Sequence, residues 1–268
     1  MKPDKYVHGY SDKEASRLND QADTLEDIIH CDSIFPNGSL VLEAGCGVGA
    51  QTKIITAKNP HSGFISIDIS EDSIREAKEM QKQAGLTNVE FKQADIFHLP
   101  FGDETFDAVI LCFVLEHLPD PMEALHSVTR VLKKGGVLMA IEGDHGSTFF
   151  YPESEYAYSA INCQIQLQKQ AGGNANIGRS LYPLFNATGL KEISVTPRMV
   201  YVDASKPQLV EGFIKNTFTA MIEGVGKISV ERGLVDDQTF DKGIKDLYRT
   251  AASDGVFCYT FFKGIGIK

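Results

Sequence analysis

From Leu40 onward the chain alternates short apolar runs with amphipathic stretches, and this alternation restricts the fold more than any other feature. The runs are "LVLEA" (40–44), "FISID" (64–68), "VEFKQ" (89–93), "FDAVILCF" (106–113) and "GVLMAIE" (136–142). Helical patterns lie between them: one running through Ile54, one from Ser70 to Ala84 and one at about 121–132. Strands that alternate with helices are joined by right-handed crossovers, so they pair in parallel and the helices cover both faces of the sheet. The expected class is therefore α/β, with a doubly wound sheet.

The flanks add to this core. Residues 11–29 read as an amphipathic helix, with Ala15, Leu18, Ala22, Leu25 and Ile28 at helical spacing and Ser11 with Glu14 as a capping box. After Glu142 the rhythm breaks, and residues 143–178 are too long for a plain connection, which predicts a loop plus an added helix. Residues 179–196 suggest a helix and a sixth strand, "KEISVT", and 206–252 carry two more helical patterns. The aromatic and branched run "GVFCYTFFKGIGIK" reads as a closing strand. Neither an internal repeat nor a low-complexity tract is visible.

Composition excludes several classes. With 268 residues, 43% hydrophobic and 23% charged, the chain suits one large globular domain. No signal-type apolar segment and no run of about 18 apolar residues is present, so the expectation is a cytoplasmic protein without a membrane partner. Five scattered cysteines without a Cys-x-x-Cys pair read as structural thiols, with no metal site expected. A net charge of −10 without a basic block argues against nucleic acid and for a small-molecule ligand.

The ligand is suggested by "VLEAGCGVGAQT", residues 41–52. A strand, a glycine-rich turn and a helix is where a doubly wound sheet receives a nucleotide, with glycine allowing positive φ and close approach of the backbone. Gly45, Gly47 and Ala50, with Asp68 further on, also satisfy the loose dinucleotide pattern, so an NAD-dependent oxidoreductase is one reading. Glu43 opposes it, because a carboxylate facing the turn repels a pyrophosphate and suits a sulfonium ligand without phosphate. S-adenosylmethionine is such a ligand.

"EAGCGVG" resembles the E/D-x-G-x-G-x-G turn of the class I S-adenosylmethionine-dependent methyltransferases, and the family pattern covers residues 40–143 without a gap. "FDAVILCFVLEHLPDPMEALHSVTRVLKKGGVLMAIE" resembles the small-molecule branch of that family, the methyltransferase type 11 or UbiE-like enzymes, with Lys134 where proline is common. The resemblance implies a Rossmann-like doubly wound sheet of seven strands, the last antiparallel, with added helices forming a lid. It divides a single domain, 1–268, into an N-terminal helical lid (1–30), a cofactor-binding core (38–143) and helical insertions over the acceptor site (144–180 and 199–252).

The same resemblance implies that Asp68 holds the ribose hydroxyls with Ile69 beside it, and that Asp95 lies near the adenine amine with Ile96 against the ring. Tyr10, Glu43, Gly45, Cys46, Gly47, Gly49, Phe113 and Val114 complete the implied cofactor-binding set. From the residues alone, Asp68 could instead cap the helix from Ser70, and Asp95 could be a solvated loop acid. Cys46 suits its place by small size, and His117 reads as a packed or helix-capping histidine.

The acceptor is less defined. Enzymes that methylate the amino group of a nucleic-acid base carry [DNS]-P-P-[YFW] after strand four, where this chain has "CFVLEH", and the N-terminal thiol pair of metalloid methyltransferases is missing. Asp144 and His145 follow strand five and are the candidate catalytic pair, His145 because an unperturbed imidazole titrates at about 6.5. Phe149, Phe150, Tyr151, Tyr156 and Tyr158 either pack the added helix or line an acceptor pocket, and Arg179 either faces the cleft or starts a helix. Methyl transfer to a small molecule is thus the leading reading, beside the oxidoreductase and a non-catalytic S-adenosylmethionine-binding module.

Overall fold

The computed structural model describes residues 12–268, with side chains of the first helix described from residue 17, so Ser11 and its capping box lie outside the described residues. Seven strands form one sheet: β1 (Leu40–Ala44), β2 (Gly63–Asp68), β3 (Val89–Gln93), β4 (Phe106–Cys112), β5 (Leu132–Tyr151), β6 (Lys191–Asp203) and β7 (Val256–Ile267). Their order is β3-β2-β1-β4-β5-β7-β6. The first five pair in parallel, and β7 runs antiparallel between β5 and β6. Construction reverses direction between β1 and β4, which opens a crevice at their carboxyl ends.

Alternate residues of each central strand serve opposite layers. In β4, Ala108, Ile110 and Cys112 join a core with α1 (Asp12–Ile29), α2 (Ala50–Lys58), α3 (Glu71–Ala84) and α5 (Glu155–Gln170). Phe106, Val109 and Leu111 join the opposite core with α4 (Pro121–Val131) and α6 (Leu181–Ala187). Leu25 and Ile29 of α1 are fully buried, each contributing about 1.5–3 kcal/mol by transfer from water. Helix starts follow local chemistry: the hydroxyl of Ser70 accepts from Ser73 N–H, Asp120 accepts from Glu123 N–H ahead of Pro121, and Ser154 accepts from Ala157 N–H.

The strands extend further than their apolar runs. β5 continues past Glu142 to Tyr151 because Asp144 pairs with Thr260 and, after a register shift, residues 149–151 pair with 256–258 of β7. Residues 144–151 are therefore strand, not the start of a helical insertion, and α5 begins only after Ser154. β6 likewise runs past Thr196 to Asp203, still paired with β7, so 199–203 is strand as well. The two helical patterns of 206–252 divide further, into Pro207–Leu209, a π-helical Val210–Thr219, Ala220–Glu223, Gly226–Glu231 and Asp237–Arg249. Among the described residues no helix is long and apolar enough to cross a membrane.

Candidate functional site

The site starts where β1 ends. Gly45 and Gly49 both lie in the left-handed region, φ 84° and 85°, which a side chain disfavours. A Cβ on Gly45 would also stand 2.5 Å from Val114 Cγ2. Gly45 and Cys46 N–H groups donate to Ile67 O at 2.7 and 2.9 Å, pinning the turn to the end of β2. The next amide, Gly47 N–H, donates to Asp68 Oδ2 at 2.9 Å, while Ser70 N–H donates to Oδ1 at 2.9 Å. Each carboxylate oxygen of Asp68 thus has one backbone donor and keeps acceptor capacity toward the cavity. Burial raises its pKa, and the backbone donors oppose that rise.

Glu43 lines the cavity with its carboxylate held by neighbouring hydroxyls. It is buried under the turn, and its Oε2 accepts from the hydroxyls of Thr52 and Ser66, both at 2.6 Å. Burial pushes its carboxyl above the ordinary range. Its position ties β1, β2 and α2 together from below the cavity. Asp95 follows β3 and starts a short 3₁₀ turn at Ile96, accepting from Phe97 N–H at 3.0 Å.

The turn after β4 is held by Glu142, fully buried on β5. Its Oε1 accepts from Val114 and Leu115 N–H at 3.0 and 2.9 Å, and its Oε2 from Glu116 N–H at 3.3 Å. Burial and the neighbouring Glu116 push the Glu142 carboxyl well up, against those three donors. The turn stores strain in Phe113, a non-glycine residue at φ 59°, and it presents Phe113, Val114, Glu116 and His117 to one cavity.

That cavity, about 240 Å³, runs from the glycine turn to a floor of side chains from β5 and β7. Glu43, Gly45, Cys46, Gly47, Asp68 and Ile69 line one end. Asp95, Ile96, Phe113 and Val114 continue the wall, and His145 lies at the far end. Tyr10 lies outside the described residues. Gly49 is set back from the cavity; a Cβ there would stand 2.5 Å from Met80 Cε, so its place is set by packing against α3.

His145 is 6% exposed. Its Nδ1 lies 3.1 Å from both Ala175 O and the Tyr259 hydroxyl. A carbonyl only accepts, so Nδ1 carries the proton and Nε2 is left as an acceptor. That Nε2 is buried and has no partner among the described residues. Burial lowers the imidazole pKa, against the pull of Glu116, the largest of the charges acting on it.

Asp144 does not join it. Arg179 donates to both carboxylate oxygens, Nε to Oδ2 and Nη2 to Oδ1, each at 2.6 Å, and Asp144 is absent from the cavity wall. Consecutive strand residues face opposite sides of a sheet, which sends His145 to the cavity and Asp144 to the other layer. Arg179, about half exposed, is consumed by this pair instead of facing the cleft.

The aromatic cluster after β5 also lies elsewhere. Phe150 is buried against Tyr158, with ring centroids 4.6 Å apart, while Phe149, Tyr151, Tyr156 and Tyr158 are exposed and none lines the cavity. The aromatic wall comes from Tyr259 and Phe261 of β7 and from Phe213 and Phe218 of the π-helical segment. The period-two row Phe257, Tyr259, Phe261 was the signal available for the first pair. His117, read as a capping residue, lines the cavity, as do Gln168 of α5 and Leu18 and Gln21 of α1.

The sheet order, the glycine turn at the switch point and the carboxylates that end β2 and follow β3 are arranged as in the class I S-adenosylmethionine-dependent methyltransferase fold. The chain belongs to the methyltransferase-domain family, whose profile matches residues 36–189. An uncharacterised methyltransferase of Schizosaccharomyces pombe is 35% identical over 152 residues, 53% of this chain and 52% of that one. A demethylmenaquinone methyltransferase of Bacillus cytotoxicus is 37% identical over 106 residues, 39% of this chain and 45% of that one. The chain spans about half the length of these curated relatives. Among solved structures, phosphoethanolamine N-methyltransferase 2 of Haemonchus contortus, in complex with phosphomonomethylethanolamine and S-adenosylhomocysteine, shares the fold. Its TM-score is 0.57 at 16% identity, over 87% of this chain and 50% of that one.

Proposed function

We propose that this chain transfers a methyl group from S-adenosylmethionine to a small molecule held between the turn after β4 and the Val210–Thr219 segment. The observation that carries the proposal is the Nε2 of His145, unpartnered among the described residues and buried in the wall of the cavity whose opposite end is formed by the glycine turn and Asp68. The residues fit the cofactor: Asp68 keeps acceptor capacity on both oxygens for ribose hydroxyls, and Asp95 with Ile96 offers a polar and an apolar contact for adenine. The cofactor supplies a methyl carbon activated by the adjoining sulfonium.

Displacement at such a carbon depends chiefly on alignment and exclusion of water. Phe113, Val114 and the aromatic wall supply an apolar surround, and α1 with the Val210–Thr219 segment serves as the lid. His145 Nε2 accepts the proton that the acceptor gives up, its ring fixed through Nδ1 by Ala175 O.

The test is His145→Gln, assayed on whichever small-molecule acceptor the wild-type chain methylates. Turnover should fall by roughly 10² to 10⁴ with S-adenosylhomocysteine affinity nearly unchanged. A loss within a factor of about three at saturating acceptor removes the base role, and a rise in KM alone reassigns His145 to shaping the pocket.

A further inference from the structure

The acceptor end of the cavity is chemically lopsided. Glu116 is 8% exposed, and the side-chain contacts of its carboxylate are long: Gln168 Nε2 at 3.4 Å from Oε2 and His117 Nε2 at 3.5 Å from Oε1. A buried carboxylate with such thin compensation favours a cationic partner. In the same cavity wall, the buried Nε2 of His145 is a second acceptor, without a donor among the described residues.

Positive charge is scarce on this wall. Among the described lining residues the lysine and arginine side chains amount to Arg17 of α1, which donates to Gln21 Oε1 at 3.0 Å. Its neighbour Leu18 packs with Val48 and Ala50, which places this part of α1 over the glycine turn. Phe113, Phe213, Phe218, Tyr259 and Phe261 line the remaining space. Aromatic faces attract cations, most strongly where water is excluded. A phosphate or carboxylate on the acceptor would meet no lysine or arginine at this end among the described residues, and a phenolate forming there would be repelled by Glu116.

We infer that the methyl acceptor is an amine on an apolar or aromatic body, bound as a cation against Glu116 and the aromatic wall, with His145 Nε2 taking its proton. The inference rests on the methyl-transfer reading above and narrows its substrate class. The ammonium passes one proton to Nε2, and the charge of Glu116 stabilises the imidazolium so formed. The freed nitrogen lone pair forms the new N–C bond as the C–S bond breaks, its electron pair staying on sulfur. The product leaves as the N-methyl ammonium, again matched by Glu116, and the balance is one proton released.

The experiment uses the full chain saturated with S-adenosylhomocysteine and titrated calorimetrically with two matched series: 2-phenylethylamine, 2-phenylethanol and phenylacetate, and tryptamine, tryptophol and indole-3-acetate. The amine of at least one series should bind about tenfold or more tightly than its alcohol and its acid, as expected for a hydrogen-bonded charge pair. Glu116→Gln should bring the amine within about threefold of the alcohol while S-adenosylhomocysteine still binds, which shows that the variant is folded. An alcohol or acid that binds as well as the amine in both series overturns the inference. So does an amine preference that survives Glu116→Gln, or the failure of both amines to bind at millimolar concentration. Failure of the wild-type chain to bind S-adenosylhomocysteine overturns the methyl-transfer reading itself.

Discussion

At the scale of single residues, the carboxylates show what residue type and position reveal and what they conceal. Asp68 ends a strand two residues before a helix, but Ser70, not Asp68, caps that helix; Asp68 holds Ser70 N–H on one oxygen and Gly47 N–H on the other. Glu43 and Asp144 were equally visible in the sequence, but their partners were not. Thr52 and Ser66 take up the first from the neighbouring helix and strand, and Arg179, thirty-five residues away, takes up the second. Asp68→Ala removes the acceptor proposed for two ribose hydroxyls, worth about 1.5–3 kcal/mol, and frees the Gly47 amide. S-adenosylhomocysteine affinity should therefore fall roughly ten- to a hundredfold by titration calorimetry. Unchanged affinity in a folded variant would remove Asp68 from the site.

At the scale of elements, the parallel half of the sheet was legible because each of its strands is a short apolar run bounded by turns and followed by a helix of opposite periodicity. The acceptor side was not. Its wall combines the end of β4, an alternate-residue row of β7 and a π-helical segment, and the wider i→i+5 winding of that segment brings Phe213 and Phe218 to one cavity, which a 3.6-residue period does not predict. The extension of β5 was hidden for another reason: residues 143–148 carry no large apolar side chain and pairing with β7 sets its length, whereas the extension of β6 was signalled by "MVYV" at 199–202. The apolar stripe of α1 was clear, and Leu18 and Gln21 on that helix line the cavity while Leu25 and Ile29 anchor its far end. An element anchored at one end and touching a ligand at the other should be ordered by that ligand. Amide hydrogen exchange in residues 12–24 is expected to slow when S-adenosylhomocysteine binds, with residues 25–29 already protected in its absence. Identical exchange with and without ligand would dismiss α1 as a lid.

At the scale of the molecule, one buried polar chain joins the layers. Lys263 of β7 donates to Ile29 O, Asp32 and Ser33. The Ser33 hydroxyl lies 2.9 Å from His30 Nδ1, and His30 Nε2 lies 2.7 Å from Oε1 of Gln51, a residue of the cavity wall. With Gln51 Oε1 accepting from Nε2, Nδ1 of the neutral ring accepts from the Ser33 hydroxyl. Burial lowers its pKa from 6.5 to about 4. Below pH 6.5 the unfolded chain takes up a proton that the folded chain refuses until about pH 4, so this group withdraws stability as the pH falls through that window. The loss between pH 7 and pH 5 is about 2 kcal/mol at 1.36 kcal/mol per unit. The buried Glu43 and Glu142 act in the opposite sense, since their raised pKa values let the folded chain bind protons first. A single unfolding curve therefore mixes the two signs, and His30→Gln separates them. Measured by urea unfolding, the stability of the wild-type chain relative to His30→Gln should decline by about 2 kcal/mol from pH 7 to pH 5. A difference between the two proteins that stays constant over that range would mean that His30 accepts its proton in the folded state, and the polar chain from Lys263 to Gln51 would have to be redrawn.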